Sequence, residues 1–227
     1  MKAKFGAVIV GGSGKLGGHV VTKNRAGYAL RTKVTPSNPK TSYQANVRSR
    51  LTNISQAWAG LTESQRLQWN AAAVNFAKTN IFGDKVNPSG FNLYQKLNNN
   101  LLAIGQPVIT TPPSPAAVAA MESLSVTAVN STGAVTITYS PAIPADMTFK
   151  VFATDSQNAG KSFVKNKFRL IGVMATAQAS PFTATTMYNA KFGHVGGVGK
   201  KVYIQLVGVN ETTGQEGIAA QAVAVIS

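Results

Sequence analysis

The chain has 227 residues, room for one large domain or two small ones, and it carries 22 Lys and Arg against 7 Asp and Glu. It contains no cysteine, so disulfides and thiolate metal sites are excluded. The seven carboxylates are scattered singly and the only histidines are His19 and His194, so no paired acids and no clustered histidines offer acid–base or metal chemistry. The expectation is a protein that is not an enzyme and takes no cofactor.

The charge is unevenly spread. Ten basic side chains fall in the first fifty residues (Lys2, Lys4, Lys15, Lys23, Arg25, Arg31, Lys33, Lys40, Arg48 and Arg50), and the first acid is Glu63, so this stretch supplies +10 of the net +15. Residues 1–41 read as an extended basic N-terminal arm. Glycines at 6, 11, 12, 14, 17, 18 and 27 interrupt it, together with Pro36 and Pro39. Only Ala7–Val10 and His19–Thr22 have the pattern of short strands. A segment so cationic and so poor in large apolar side chains should not fold alone. Stretched out, about 40 residues reach roughly 130 Å, enough to cross onto a neighbouring subunit.

Gly12-Ser13-Gly14-Lys15-Leu16-Gly17 matches the dinucleotide fingerprint G-x-G-x-x-G. That fingerprint works only where the glycines open a helix and an acid follows about 20 positions later for the ribose. No helical period follows here and the expected zone holds Arg31 and Lys33, so a glycine turn is the reading. The phosphate-binding loop fails as well, because Leu16 stands where Ser or Thr is needed. The basic segment therefore calls for an anionic partner that it does not itself enclose. The expected contacts are Lys15, Lys23, Arg25, Arg31, Lys33, Lys40, Arg48 and Arg50. A membrane is the weakest candidate, since residues 1–41 show neither an apolar helical face nor a long apolar run, and Phe5–Val10 is too short for a secretory signal.

Residues 42–105 read as a helical segment. Tyr43, Val47, Leu51, Ile54, Trp58 and Leu61 recur at spacings of three and four, the face of a helix that Gly60 ends. Thr62 and Gln65 form a capping box opening a second helix from Glu63 to about Lys78. Its apolar residues, Leu67, Ala71 and Val74 on one side and Trp69, Ala73 and Phe76 on another, are too widely spread to meet a single partner. A third helix begins near Ser89 and stops at Gly105. It carries an Asn98–Asn100 run, unusual because Asn is a mediocre helix former.

Residues 106–118 hold Pro107, Pro112, Pro113 and Pro115 and read as a stiff extended spacer. Residues 119–227 are β in character. The strand candidates are Leu124–Val129, Ala134–Tyr139, Thr148–Thr154, Arg169–Thr176, Val202–Val209 and Ala219–Ile226, with turns at Asn130–Gly133, Pro141–Pro144, Asn158–Gly160 and Asn210–Gly214. About seven strands in this length is the size of an immunoglobulin/fibronectin-III-like all-β sandwich. The fold class expected is thus α+β and multi-domain, with arm, helical segment, linker and sandwich in that order.

Two further patterns lie in the last third. Lys161, Lys165, Lys167 and Arg169 interleave with Phe163 and Phe168, either a base-stacking platform or, preferred, an edge whose lysines discourage strand pairing. Phe163, Phe182 and Tyr188 near the turns are what a carbohydrate-binding adhesin would use.

Ser162-Phe-Val-Lys-Asn-Lys-Phe-Arg-Leu-Ile171 and Tyr28-Ala-Leu-Arg-Thr-Lys-Val-Thr-Pro-Ser-Asn-Pro39 resemble virion proteins of tailed phages of Bacteroidetes, including the crAss-like group. Ser55-Gln-Ala-Trp58, Leu61-Thr-Glu63, Asn80-Ile-Phe-Gly-Asp84, Gly90-Phe-Asn-Leu-Tyr94 and Val209-Asn-Glu-Thr-Thr-Gly214 extend the likeness over nearly the whole chain. The resemblance implies an auxiliary capsid protein, made in the host cytoplasm and carried in the virion in many copies. Its partners would be the major capsid protein and other virion proteins, with DNA contact through the arm as the alternative. It supplies no catalytic residues.

Overall fold

A computed structural model describes residues 2–6, 10–24 and 27–227. Among the described residues the architecture is α+β, with four α-helices and several antiparallel sheets.

The N-terminal region is not an extended arm. Strands β1 (Lys2–Ala3), β2 (Gly14–Leu16), β3 (His19–Asn24) and β4 (Gly27–Thr32) form one antiparallel sheet in the order β1-β4-β3-β2. Gly17 at φ 55° takes the left-handed conformation that the tight turn between β2 and β3 needs, and Gly27 opens β4 at φ 102° opposite Asn24. Val21 opposite Leu30 and Lys23 opposite Tyr28 then supply cross-strand contacts on one face. Composition alone hid this, because local turn chemistry outweighed charge repulsion. The strand expected at Ala7–Val10 falls largely on residues 7–9, outside the described residues. None of the described residues up to Thr41 is buried, so the sheet has no core of its own.

The helical region follows. Helix α1 (Ser42–Ala59) is capped by the Thr41 side chain and ends at Gly60, as the periodicity predicts. Helix α2 (Glu63–Ala72) carries the capping box, with Thr62 and Gln65 bonded reciprocally. It passes into a 3-10 turn at Ala73–Phe76 and so stops short of Lys78. A hairpin expected by no periodicity follows, β5 (Lys78–Thr79) with β6 (Lys85–Val86). The Asn80 Oδ1 accepts from the Phe82 and Asp84 backbone N–H groups at 2.8 and 3.0 Å and closes its turn. Helix α3 (Gly90–Ala103) is capped by Ser89. The absence of a side chain at Gly90 lets α3 start against α2, where its N–H reaches the Asn70 Oδ1 at 3.2 Å.

Ile54, Leu61, Trp69, Ala73, Leu93, Tyr94 and Leu97 make the helical core. Trp58 and Trp69 each meet the Tyr94 ring at a centroid distance of 5.2 Å. Of the broad apolar surface of α2, the Trp69 side is inside, whereas Leu67 and Val74 face solvent.

The segment expected to be a stiff extended spacer is pinned on both sides. The Asn98 amide embraces the backbone of Ile109, accepting from its N–H at 2.7 Å and donating to its carbonyl at 3.3 Å. The Trp69 indole N–H donates to the Thr110 carbonyl at 2.8 Å, and Gln215 accepts from Ala116 N–H while donating to the Ser114 carbonyl. Prolines limit what the backbone can donate, so side-chain amides complete the pairing.

The C-terminal region packs two sheets on one core. Strands β9 (Met147–Ala153), β10 (Arg169–Val173), β12 (Lys201–Asn210) and β13 (Ala220–Val225) lie in the order β10-β9-β12-β13. Strands β7 (Ser123–Val129), β8 (Ala134–Ser140) and β11 (Phe182–Thr183) lie in the order β11-β8-β7. Val135, Ile137, Val151, Val202, Ile204 and Leu206 are at the centre. A parallel bridge between Ala128 and Ile226 joins the sheets along one edge. Helix α4 (Thr185–Phe192), which the strand pattern did not foresee, covers this core with Tyr188.

Asn100 explains the asparagine run in α3. Its side-chain N–H donates to the Gly214 carbonyl at 2.9 Å and its Oδ1 accepts from Lys150 Nζ at 3.1 Å. Lys150 is buried in β9 and is also paired with Glu216 at 2.6 Å. Two of the three asparagines are therefore the polar joints between α3, the linker and the β core.

Candidate anion-binding surface

The N-terminal sheet is anchored to the hairpin of β5 and β6. Lys4 Nζ lies 3.0 Å from Asp84 and 5.2 Å from the centre of the Phe82 ring, and Phe5 stacks edge-on against Tyr28 at 4.9 Å. A hydrogen bond from Asn80, then one from Lys4, holds the Asp84 carboxyl below the usual carboxylate range. The contact is solvated, so it orients the sheet more than it stabilises it.

The strand register then sorts the cations. Lys15 pairs with Val20, and Val20 with Arg31. Directly opposed residues share a face, so Lys15 and Arg31 project from one side of the sheet with Val20 between them, about 10 Å apart. The Lys33 N–H bonds the Gly18 carbonyl at 2.8 Å, which continues the pairing and returns Lys33 to the same side. Lys23 points to the opposite side, its ammonium 5.4 Å from the centre of the Tyr28 ring. Lys15, Lys23, Arg31 and Lys33 are all exposed.

The remaining expected contacts are less closely grouped. Lys40, at φ 51°, sits just before the α1 cap, and Arg48 donates to the Asn38 side chain at 3.1 Å, which folds the connecting segment back on the helix. Arg50 is half-buried on α1. Arg25 lies outside the described residues. The structure thus groups Lys15, Arg31 and Lys33 and leaves Lys23, Lys40, Arg48 and Arg50 elsewhere.

The G-x-G-x-x-G segment forms strand β2 and the turn into β3, where a dinucleotide site would need a helix. Of the aromatics that would serve a carbohydrate binder, Tyr188 is fully buried and Phe182 packs on the β core, so that platform is reduced to Phe163, which is 70% exposed. Their apolar rings complete the core opposite β8. Phe163 and Phe168 do line one shallow depression together with Lys165.

One cluster had no signature in the sequence. A cavity of 350 Å³ opens where β1, the hairpin and α3 meet, and Lys2, Lys78 and Lys96 line it together with Phe76, Val86 and Leu93. Enclosure by protein atoms, then the neighbouring charge of Lys78, lowers the Lys96 ammonium below the ordinary lysine range, while Glu216 acts in the other direction. Three lysines so far apart in the chain converge only through the tertiary fold.

No family model and no curated protein matches this chain. Two solved structures are similar to part of it. One is a Fn3-like protein from Clostridium thermocellum, 20% identical, covering 49% of this chain and 96% of its own, with a TM-score of 0.33. The other is a beta-1,2-glucanase from Parabacteroides distasonis, 16% identical, covering 49% of this chain and 14% of its own, with a TM-score of 0.29. Among the described residues no helix is long and apolar enough to cross a membrane.

Proposed function

We propose that this chain is a non-enzymatic structural protein of a large assembly, an auxiliary capsid protein of a tailed phage particle, which engages an anionic surface through the N-terminal sheet. The observation that carries the reading is the exposed, acid-free row of Lys15, Arg31 and Lys33 on a sheet none of whose described residues is buried. Two unit charges about 10 Å apart repel by about 0.4 kcal/mol in water, so the row is tolerable alone and gains from an anionic partner. Repetition over a symmetric shell would multiply weak contacts into high avidity. On this reading the major capsid protein is the partner, the virion is the location, and the seven strands over residues 119–227 form an immunoglobulin/fibronectin-III-like outer module.

The test is co-assembly with the acidic shell subunit. Reversing Lys15, Arg31 and Lys33 to Glu should lower incorporation at least tenfold while the β core stays folded by circular dichroism. Undiminished incorporation refutes the proposal. A second reading, nucleic-acid binding, is favoured by the Phe163, Lys165 and Phe168 depression. It predicts DNA binding whose salt slope falls by about 0.9 for each phosphate contact removed; no DNA binding at low salt eliminates it.

A further inference from the structure

The cavity between β1, the hairpin and α3 has the chemistry of a ligand site. Its 350 Å³ falls within the ordinary range for small-molecule pockets. Phe76, Val86 and Leu93 give it an apolar wall, and Asn80 and Asn92 add amides at the margin. Lys2, Lys78 and Lys96 all reach it, and no carboxylate lines it. The acid that acts on Lys96 is Glu216, which is already paired with Lys150 at 2.6 Å. Lys78 is close enough to Lys96 to disfavour its charged form, an arrangement that costs free energy and that a bound anion would relieve.

We propose that this cavity binds a carboxylate carried on an apolar body, with Lys78 and Lys96 holding the carboxylate and Phe76 and Leu93 receiving the apolar part. The mixture of surfaces is what selects this class. A bare inorganic anion would leave the apolar wall wet, and a neutral hydrocarbon would leave two facing ammonium groups desolvated. Lys2 comes from β1, so an occupied cavity also draws the N-terminal sheet onto the body. The inference does not depend on the assembly reading. The carboxylate can come from a free small molecule or from an acidic residue beside an aromatic one in a partner protein.

The experiment titrates the full chain at low salt, by calorimetry and by chemical-shift changes, with four probes. These are 3-phenylpropionate, its neutral analogue 3-phenylpropanamide, inorganic phosphate, and the blocked peptide acetyl-Phe-Glu-Phe-amide. The acid should bind with shifts confined to residues around Lys78, Val86 and Lys96, and at least tenfold more tightly than the amide or phosphate. Lys78→Met and Lys96→Met should each weaken it at least fivefold, whereas Lys161→Met, far from the cavity, should not. Both variants alter surface-reaching side chains, and unchanged circular dichroism verifies their fold. If the peptide binds more tightly than the free acid the source is a partner protein, and if only the free acid binds it is a small molecule; either supports the site. Equal binding of the amide, equal binding of phosphate, or indifference to both lysine substitutions overturns the proposal.

Discussion

Replacing Asn100 by Ala tests whether α3 and the β core unfold together. The substitution deletes the donor to the Gly214 carbonyl and the acceptor for Lys150, both in buried surroundings. A neutral hydrogen bond is worth about 1 kcal/mol and one to a charged group about 1.5–3, and the groups left behind carry their own desolvation cost. Against this, Ala is the better helix former by up to about 0.7 kcal/mol. The expected net loss is about 2–3 kcal/mol. Asn99, exposed on the next position of the same helix, is the internal control, since Asn99→Ala should be neutral or slightly stabilising. Urea unfolding offers two separate probes, because both tryptophans, Trp58 and Trp69, lie in the helical region, while far-ultraviolet circular dichroism is weighted by the β strands as well. In the wild type the two curves should coincide; in Asn100→Ala the fluorescence transition should move to lower urea and separate from the other. If Asn100→Ala is as stable as Asn99→Ala, the joint contributes nothing and the reasoning fails.

Three further outcomes are expected. Gly214→Ala places a methyl group against the Leu97 carbonyl and onto a backbone at φ 68°, so it should destabilise by about 2–4 kcal/mol in the same urea assay. Thr62→Ala removes the α2 capping box and should cost about 1 kcal/mol, read as a shift in the fluorescence midpoint. Asp84 has a folded-state pKa below its ordinary value, so its contribution is present above that ordinary value and fades as pH falls through the depressed one. Acidification below pH 4 should therefore loosen β1 from the hairpin, visible as faster exchange of the Lys4 and Phe5 amides, and Asp84→Asn should remove this pH dependence.

The helices were legible because their signals are local. The three-and-four spacing from Tyr43 to Leu61, the Thr62–Gln65 box and the Ser89 cap all act within a single turn or two. The six longer strands of the C-terminal sheets were legible from their short Val- and Ile-rich runs for the same reason. Charge counting misjudged residues 1–41, because it weighs repulsion across a whole segment and ignores hairpins that close within a few residues, as Gly17 closes the one between β2 and β3. The linker misled in a similar way. Four prolines set its stiffness, but its docking was decided by Asn98, 11 residues from its partner, and by Trp69 and Gln215, which lie 41 and 101 residues from theirs. The cavity lysines were invisible because Lys78 and Lys96 meet only when the hairpin packs beside α3, and Lys2 joins them only when β1 reaches it.

These features divide the molecule by how each part is held. The helical region and the β region each bury a core, and the Asn98, Asn100 and Gln215 amides bind them together through groups that water cannot replace once buried. None of the described residues of the N-terminal sheet is buried, and its tether to the body runs from Lys4 to Asp84 and Phe82 at the surface. Local opening costs least where buried contacts are fewest, so this sheet is the part that should yield first and respond most to a partner. A cationic layer held loosely on a rigid body can adjust to an anionic surface without disturbing either core. It also follows that stability measured on the cores and affinity measured at Lys15, Arg31 and Lys33 should vary independently under mutation, since the sites share no partner and lie on different elements.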